Sequence, residues 1–173
     1  MGFMAGYDGP MTFATILPGA VFGPILTTNT MGSVGIVARM MPGRMPGTPR
    51  IGLAVVDVGD LADVHIEVMV SPAAAGQRFL ATGEFIWMRD MTRALRSSLG
   101  PTGHRISIRQ LPDFAVRFSA RFLDHSLRAI TPALGRRNRH STDKVRRLLG
   151  WQPRPAAEVV VDWARSLIER EAV

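Results

Sequence analysis

The sequence predicts an α/β fold, because short β-prone runs and longer stretches of helical periodicity follow one another along the chain. The chain has 173 residues, of which 46% are hydrophobic and 20% are charged. A chain of about this length buries about 68–70% of the surface that its unfolded form exposes, so a sizeable core is expected without disulfides. The balanced composition argues against wholesale disorder.

The composition excludes several kinds of catalytic and metal-binding site. The sequence has no cysteine, which excludes disulfide bonds, thiolate nucleophiles and cysteine-ligated zinc. The formal net charge of +7 comes almost wholly from arginine, since Lys144 is the only lysine. A reaction that needs an amine must therefore use Lys144, and a reaction that needs a phenol must use Tyr7, the only tyrosine.

The first strand is predicted at Thr12 to Leu17, a short β-prone run that Pro18 and Gly19 end. We expect this strand to be buried and to run into a loop. Residues 39–50 contain three prolines and two glycines, a composition typical of an exposed loop. The apolar, β-branched run from Ile51 to Val56 predicts a second strand.

Residues 9–38 carry no charge, which raises the alternative of a membrane-spanning helix. Such a helix needs about 20 mostly apolar residues in a continuous run, and Pro18, Pro24 and the polar residues 27–30 interrupt this one. Residues 1–10 have neither the basic start nor the apolar run of a secretory signal. We therefore expect a cytoplasmic protein without a membrane partner.

A helix is predicted to begin within Asp57 to Asp63, with Asp60 as its cap, and to stop at Ser71 and Pro72. Carboxylates in a first helical turn satisfy free amides and favour the helix dipole, so the aspartates are interpreted as structural. His65 lies on the apolar stripe of this helix, and no metal-binding spacing is present. We expect a core histidine and no metal site.

Three elements are predicted in the middle of the chain. Arg78 to Thr82 has the composition of a strand. Apolar residues between Met88 and Leu99 recur on one helical face, and Gly100 ends that helix. Arg105 to Arg109 alternates polar and apolar residues, which predicts a further strand.

A long helix is predicted from Asp113 to Ile130. An arginine-rich face opposite phenylalanines resembles a helix that lies on a membrane surface. The apolar residues extend too far round the helix for that, so packing in the core is the favoured interpretation. The charged face consists of Arg117, Arg121, Asp124 and Arg128, and the apolar faces consist of Phe114, Phe118, Phe122, Leu123 and Leu127.

Two more helices are predicted near the end of the chain. The first spans Thr142 to Leu149 and stops at Gly150. The second begins near Pro155, a residue suited to a first helical turn. Its apolar stripe has the clearest periodicity in the sequence and consists of Ala156, Val159, Val160, Trp163, Ala164 and Leu167.

A basic segment, residues 136–147, carries six positive charges and one acid. Such a segment can hold a phosphodiester backbone or another anion. The alternative is a solvated surface whose arginines lie over apolar neighbours. Because no aromatic residues are interleaved and no nucleic-acid motif is present, the solvated surface is favoured and a nucleic-acid partner is not expected. The cations are Arg136, Arg137, Arg139, Lys144, Arg146 and Arg147.

Five segments resemble, in order, motifs of the extended short-chain dehydrogenases/reductases, the NAD-dependent epimerase/dehydratase group that includes dihydroflavonol-reductase-like enzymes. ILPGAVFGPIL, at Ile16 to Leu26, is similar to the strand and Pro-Gly loop that follow the family's catalytic helix. VVDVGDLADVH, at Val55 to His65, is similar to its Val-Asp-Val-Arg-Asp-Val-Ala-x-x-His stretch. The others are RFLATGE at Arg78 to Glu84, LPDFAVR at Leu111 to Arg117 and STDKVRRLLGWQPRPAAE at Ser141 to Glu158.

The resemblance implies the C-terminal part of a Rossmann-type enzyme, with an incomplete parallel sheet and a helical substrate-side lobe. Residues 1–30 would form the last part of the dinucleotide-binding sheet, and residues 31–173 the substrate-side lobe with closing sheet elements and C-terminal helices. The implied activity is reduction or oxidation of a carbonyl or hydroxyl on a hydrophobic or sugar-like small molecule, with NAD or NADP as cofactor.

The resemblance also implies where the cofactor lies. In the family, the Pro-Gly loop lies against the nicotinamide, and the matching residues here are Pro18, Gly19, Ala20 and Val21. A serine further along often faces the cofactor, and Ser33 is the matching candidate. The alternative is that these residues bind no cofactor. Pro18 and Gly19 would then form an ordinary turn from strand to loop, and Ser33 would be a loop residue with a solvent-exposed hydroxyl.

The sequence departs from the family in its nucleotide-binding and catalytic motifs. No two of its 17 glycines stand two positions apart, so Gly-x-Gly-x-x-Gly is absent. The family's Tyr-x-x-x-Lys pair, whose tyrosine exchanges a proton with the substrate oxygen, is absent too, since Met11 stands four positions after Tyr7. Gly59 replaces the family's common arginine. We therefore expect a truncated enzyme that has no catalytic residue and is inactive alone, with a strand edge near residues 12–17 where an upstream chain could complete the fold.

Overall fold

The computed structural model describes residues 9, 11–25, 41 and 45–170 of the chain. The strands in these residues are β1 (Thr15–Pro18), β2 (Ala20–Phe22), β3 (Gly52–Asp57), β4 (Arg78–Ala81) and β5 (Glu84–Trp87). The α-helices are α1 (Val58–Val70), α2 (Met88–Ser98), α3 (Gly100–Gly103), α4 (Asp113–Phe122), α5 (Asp143–Leu149) and α6 (Ala156–Glu169).

The strands form two small sheets. In the first sheet, β1 pairs with β4 in parallel, with Thr15 opposite Arg78 and Pro18 opposite Ala81. In the second sheet, β3 is central and pairs in parallel with β2 and antiparallel with β5. The parallel pairing of β1 with β4, which α1 separates in the sequence, confirms the predicted α/β fold.

Two glycines lie where the chain passes from the first sheet into the second. Gly19 joins β1 to β2, and Gly83 lies between β4 and β5. A Cβ atom on Gly19 would lie 2.2 Å from the carbonyl oxygen of Ala54, and one on Gly83 would lie 1.6 Å from that of Val55. Both crossings therefore contact the backbone of β3, and only a residue without a side chain fits at either place. The loop predicted after Pro18 was wrong, because the chain continues as β2.

Two hydrophobic clusters stabilise these sheets. The larger cluster joins α2 and α6 to the second sheet, and its Trp163 meets Phe22 edge to face, with ring centroids 5.2 Å apart. The smaller cluster joins α1 and α5 to β4 around Phe79 and Trp151. Every residue of the stripe predicted for the last helix is buried, which confirms that its periodicity marks a core face.

A network of carboxylates and one arginine connects the start of α1 to α6. Asp57 caps α1, because its Oδ1 accepts a hydrogen bond from the amide of Gly59 at 2.7 Å. Asp60 was wrongly predicted as the cap, and its carboxylate instead accepts a hydrogen bond from the amide of Arg154 at 2.7 Å. The Arg154 guanidinium lies 3.8 Å from the carboxylate of Asp57 and 2.5 Å from that of Asp162. The hydrogen bond to Asp162 raises the pKa of Arg154 above its ordinary value.

Most other predicted elements are confirmed within a few residues. β3 and β4 lie where the apolar runs predict strands, and α1 ends immediately before Ser71 and Pro72. α5 ends before Gly150, whose φ of +67° is the left-handed conformation that commonly closes a helix. Pro155 immediately precedes α6. The sequence did not predict β5, which runs directly into α2 without a turn residue between them.

Three predictions are wrong: the strand at residues 105–109, the full exposure of the loop at residues 39–50 and the burial of the first strand. Residues 105–109 form no strand, because among the described residues no strand pairs with them. Isolated contacts replace a ladder here: a bridge between Thr48 and Gln110 and a hydrogen bond from the amide of Thr48 to the carbonyl oxygen of Arg109. The hydrogen bonds beside the bridge bury residues 47–49, which lie in the loop predicted to be exposed. β1 is also half-exposed rather than buried, since among the described residues it pairs only with β4.

His65 is exposed on α1 and does not lie in the core. Its Nδ1 atom lies 2.6 Å from the carbonyl oxygen of Leu61, one helical turn earlier. Among the described residues, no group of three histidine or carboxylate side chains could hold a metal ion. In the same part of the chain, no helix is both long enough and apolar enough to span a membrane.

The α4 helix is packed on one side only. It ends at Phe122 rather than at Ile130, and its core-facing residues are Val116 and Ala120. Core packing of its phenylalanines was therefore a wrong prediction. The exposed apolar residues of α4 and its C-terminal cap are Phe114, Phe118, Phe122 and Leu123.

We expect Gly83→Ala to lower the free energy of unfolding by about 2–3 kcal/mol, because the new methyl group must displace the backbone of β3. Urea unfolding followed by tryptophan fluorescence measures this. Gly59→Ala is the matched control: the nearest atom to its new methyl is a side-chain oxygen of Asp57 at 2.9 Å, so we expect a change within about 1 kcal/mol. Equal losses in the two variants would contradict the close approach to β3.

We expect Asp57→Ala to destabilise the chain by about 1–2 kcal/mol, because it removes the cap of α1. Asp57→Asn keeps a side-chain oxygen that can accept from Gly59, so its loss should be less than half as large. Thermal unfolding followed by circular dichroism compares the two, with Asp63→Ala, exposed on the same helix, as the control. Equal losses for alanine and asparagine would show that the charge of Asp57 matters more than the cap.

Candidate functional site

The candidate site lies where β1 and β4 end. Ligands of open α/β sheets bind in the crevice outside the carboxyl ends of the parallel strands. Pro18 and Ala81 are the last paired residues at this edge, and Gly19 donates its N–H to the carbonyl oxygen of Ala81 at 3.3 Å. Gly19, through which the chain passes from β1 into β2, therefore also connects the ends of β1 and β4.

Four of the residues predicted to bind the cofactor lie together at this edge. Pro18 is exposed, and Gly19, Ala20 and Val21 are partly exposed. The last two belong to β2 and are kept extended by pairing with β3. Ser33 lies outside the described residues, and so does the domain boundary predicted at residue 30. The assignment of these residues to a cofactor stays a prediction.

The geometry at residues 18–21 fits a nicotinamide in part. A carboxamide needs backbone donors and acceptors. Pro18 has no N–H and the N–H of Gly19 already donates to the carbonyl oxygen of Ala81, so the candidate donors are those of Ala20 and Val21. The missing side chain of Gly19, however, is already explained by the carbonyl oxygen of Ala54 at 2.2 Å from its virtual Cβ. Gly19 is thus required by the fold, whatever binds beside it.

A cavity of about 380 Å³ opens beside this edge. Arg137 lies in its wall, with its guanidinium carbon 5.2 Å from the centroid of the Phe85 ring, a distance at which the cation is attracted to the ring face. We call this cavity the arginine cleft. It is lined by Ala54, Gly83, Phe85, Arg137, Asn138, Arg139 and His140.

A second cavity of about 380 Å³ shares Gly83 with the arginine cleft. Thr82 lies in its wall, and the Oγ1 atom of Thr82 is buried without a hydrogen-bond partner among the described residues. Leaving a buried hydroxyl unpaired costs free energy, so this oxygen would gain a hydrogen bond only if ligand binding opened a path to it. Thr82 and Gly83 were not predicted as site residues. Thr82 ends the strand predicted at Arg78 to Thr82 and Gly83 follows it, a position at which open α/β sheets bind ligands.

The two cavities contain more cationic than acidic side chains. Arg137, Arg139 and Arg146 lie in their walls. The acid in the second cavity, Glu84, accepts a hydrogen bond from the first amide of α6 at 3.2 Å. Arg154 is also there, but two aspartates pair with it. This balance suits a ligand that carries a carboxylate, a phosphate or several hydroxyl groups.

Lys144, the only amine side chain, has a packing contact in this structure. Its Nζ lies 5.4 Å from the centroid of the Phe79 ring. Tyr7 lies outside the described residues. Asp57 and Asp60 have the structural role expected of them, because both are engaged by backbone amides.

No family model matches the chain. A curated relative, cinnamoyl-CoA reductase 1 of Oryza sativa subsp. japonica, is 33% identical over 86 residues, which are 50% of this chain and 25% of the relative.

Solved structures resemble the chain over nearly its whole length. Gre2 from Candida albicans matches 98% of this chain and 48% of its own, with a TM-score of 0.71 at 19% identity. Epimerase Mth375 from Methanothermobacter thermautotrophicus matches 98% of this chain and 46% of its own, with a TM-score of 0.70 at 18% identity. Yeast methylglyoxal/isovaleraldehyde reductase Gre2, complexed with NADPH, matches 94% of this chain and 48% of its own, with a TM-score of 0.68 at 20% identity.

The chain thus spans about half the length of these solved proteins and a quarter of the curated relative. The solved structures show the fold, and the plant reductase shares sequence over half of this chain. Both likenesses agree with the five motif segments that follow one another in the family's order. The chain therefore resembles the extended short-chain dehydrogenases/reductases, the NAD-dependent epimerase/dehydratase group, in fold over nearly its whole length and in sequence over half of it.

Proposed function

We propose that the chain forms the substrate-side part of an NAD(P)-dependent oxidoreductase or epimerase that acts on a carbonyl or hydroxyl of a small molecule. The main support is the edge where β1 and β4 end, because residues 18–21 lie there partly exposed, and Ala54, which contacts Gly19, also lines the arginine cleft. The volume of this cleft, about 380 Å³, falls in the range of about 300–1,000 Å³ that is usual for small-molecule sites.

In this proposal the backbone of Pro18 to Val21 lies against the nicotinamide and hydrogen-bonds its carboxamide. A bound cofactor supplies or accepts the hydride. Ser33 is the further cofactor contact, as the family resemblance implies. The chain's own contribution is to hold the nicotinamide ring at the strand edge next to the substrate.

The arginine cleft is proposed as the substrate site. Arg137 and Arg139 would bind an anionic or hydroxyl-rich part of the substrate, and the ring of Phe85 would contact its apolar part. The unpaired hydroxyl of Thr82 would donate or accept a further hydrogen bond. Each of these groups lies beside Gly83 in one of the two cavities.

The edge of β1 away from β4 is proposed to pair with a strand from another segment or chain. Among the described residues, β1 belongs to a sheet of two strands, and Phe13 and Leu17 on either side of its start are exposed. An unpaired edge with exposed apolar residues favours the addition of a strand.

We expect the purified 173-residue chain to give no turnover with NADH or NADPH and a panel of ketones, aldehydes and thioesters. The physical reason is that the sequence contains no Tyr-x-x-x-Lys pair to transfer the proton. Nicotinamide absorbance over hours measures the rate, with a chain-free sample as the control. Turnover above that control would contradict the proposal of inactivity.

We expect millimolar NADPH to shift the backbone amide signals of Gly19, Ala20 and Val21 in a two-dimensional NMR spectrum. These amides lie at the edge proposed for the nicotinamide. Gly76, whose amide donates to the carbonyl oxygen of Phe13 before β4 begins, is the internal control and should not shift. Shifts confined to other residues, or none at all, would contradict the assignment of residues 18–21.

A second candidate is an anion- or nucleic-acid-binding surface on residues 136–147. Arg137 and Lys144 lie over the rings of Phe85 and Phe79, which is the arrangement that the solvated-surface alternative describes. Duplex DNA titrated at low salt distinguishes the two, because binding through phosphates weakens steeply as salt rises. Tight binding at 50 mM salt that is lost near 200 mM would favour the nucleic-acid candidate over the oxidoreductase.

A further inference from the structure

Two helices of the chain expose apolar faces that carry opposite charges. The first face, on α4, is called the phenylalanine face and consists of Phe114, Phe118, Phe122, Arg117 and Arg121. The second, on α1, is called the acidic face and consists of Ile66, Met69, Val70, Asp63 and Glu67.

The phenylalanine face forms a continuous ridge. Phe114, Phe118 and Phe122 are spaced four residues apart, so they follow one another along one side of the helix. Their exposed fractions are 75%, 59% and 61%, and the last two rings contact each other at an interplanar angle of 46°, with centroids 4.9 Å apart. Arg117 and Arg121 run along one margin of this ridge, one turn apart. Large rings exposed together in this way mark an interaction surface.

The acidic face has the same construction with the opposite sign. Ile66, Met69 and Val70 are 58%, 83% and 71% exposed. Asp63 and Glu67 run along one margin, again one turn apart, and their carboxylates form no ion pair among the described residues. Their spacing of about 5–6 Å equals that of Arg117 and Arg121.

We propose that the phenylalanine face of one copy of this chain packs against the acidic face of a second copy. The apolar ridges would cover each other, while the two arginines pair with the two carboxylates along the margin. Contact between two phenylalanine faces would instead bring four arginines together, which repulsion disfavours. A charge-matched second copy is therefore the occupant that the structure favours.

The contact has to form between copies. α1 packs on the smaller hydrophobic cluster and α4 on the larger one, and both faces are exposed in the single chain. Each copy therefore offers one face of each kind, so the contact is head-to-tail. Because one pair of short helices buries less than about 1,200 Å², the association is weak, reversible and sensitive to salt.

Sedimentation velocity over a series of chain concentrations tests the proposal. We expect concentration-dependent association of the unmodified chain, and at least a tenfold higher dissociation constant for the double variant Arg117→Glu with Arg121→Glu. The control is Arg105→Glu with Arg170→Glu, which changes the net charge equally at exposed positions outside both faces and should associate like the unmodified chain. Circular dichroism confirms that each variant is folded.

A mixing experiment identifies the two faces as partners. Asp63→Arg with Glu67→Arg should weaken association as strongly as the reversal on α4. When the two double variants are mixed, every contact between unlike chains again pairs opposite charges, so association should return to within about threefold of the unmodified chain. A mixture that stays monomeric overturns the proposal.

Other occupants give distinct results. Association that persists in both charge-reversal variants would place the contact elsewhere, such as the open edge of β1, and would overturn the proposal. An unmodified chain that stays monomeric at all concentrations would also overturn it. If that monomer sediments with vesicles containing phosphatidylglycerol and Phe114→Ser with Phe118→Ser abolishes this, the phenylalanine face serves a lipid surface instead.

Discussion

The structure depends on the close approach of two glycine backbones to one strand. Gly19 and Gly83 lie against the carbonyl groups of Ala54 and Val55, where a Cβ atom would overlap an oxygen. This approach lets the chain leave the β1–β4 sheet twice and pair on both sides of β3. A larger residue at position 19 or 83 would push the chain away from β3. The contact therefore fixes how the β1–β4 sheet lies beside the sheet of β2, β3 and β5.

The same contact positions the candidate site. It holds the carboxyl ends of β1 and β4 beside Ala54 and Gly83, the two small residues that open one wall of the arginine cleft. The opposite wall is a segment with little regular structure, residues 137–140, and the contact between Arg137 and Phe85 fixes part of it. The cleft is thus formed by strand residues on one side and by Arg137 and Arg139 on the other.

A second constraint acts at the end of β3. Asp57 is the last residue of that strand, the cap of α1 and a partner of Arg154. Arg154 in turn pairs with Asp162 of α6, so one arginine connects the two helices that cover the two sheets. The family motif places arginine where this chain has Gly59, and Arg154 is the cation that lies beside Asp57 here.

The sequence by itself determined two kinds of element: those whose apolar residues recur with a clear period, and those that end at a glycine or proline. The stripe of α6 predicted a core helix, Gly150 predicted the end of α5, and the apolar run after Ile51 predicted β3, because burial and backbone geometry act locally there. The ordered motifs also predicted the resemblance to the reductase family, and they predicted a cofactor contact at residues 18–21 that stays a prediction.

Only the tertiary structure decided which neighbours each element meets. Within the described part of the chain, the alternation at residues 105–109 has no partner strand. The carboxylate of Asp60 binds the amide of Arg154 instead of capping α1, and the phenylalanines of α4 lie exposed. Thr82 and Gly83 became part of the site because β4 and β1 end at the same edge. The sequence of a single helix or strand shows which of its faces is apolar. Strand pairing and side-chain burial also depend on residues far away in the sequence, and only the fold brings those residues together.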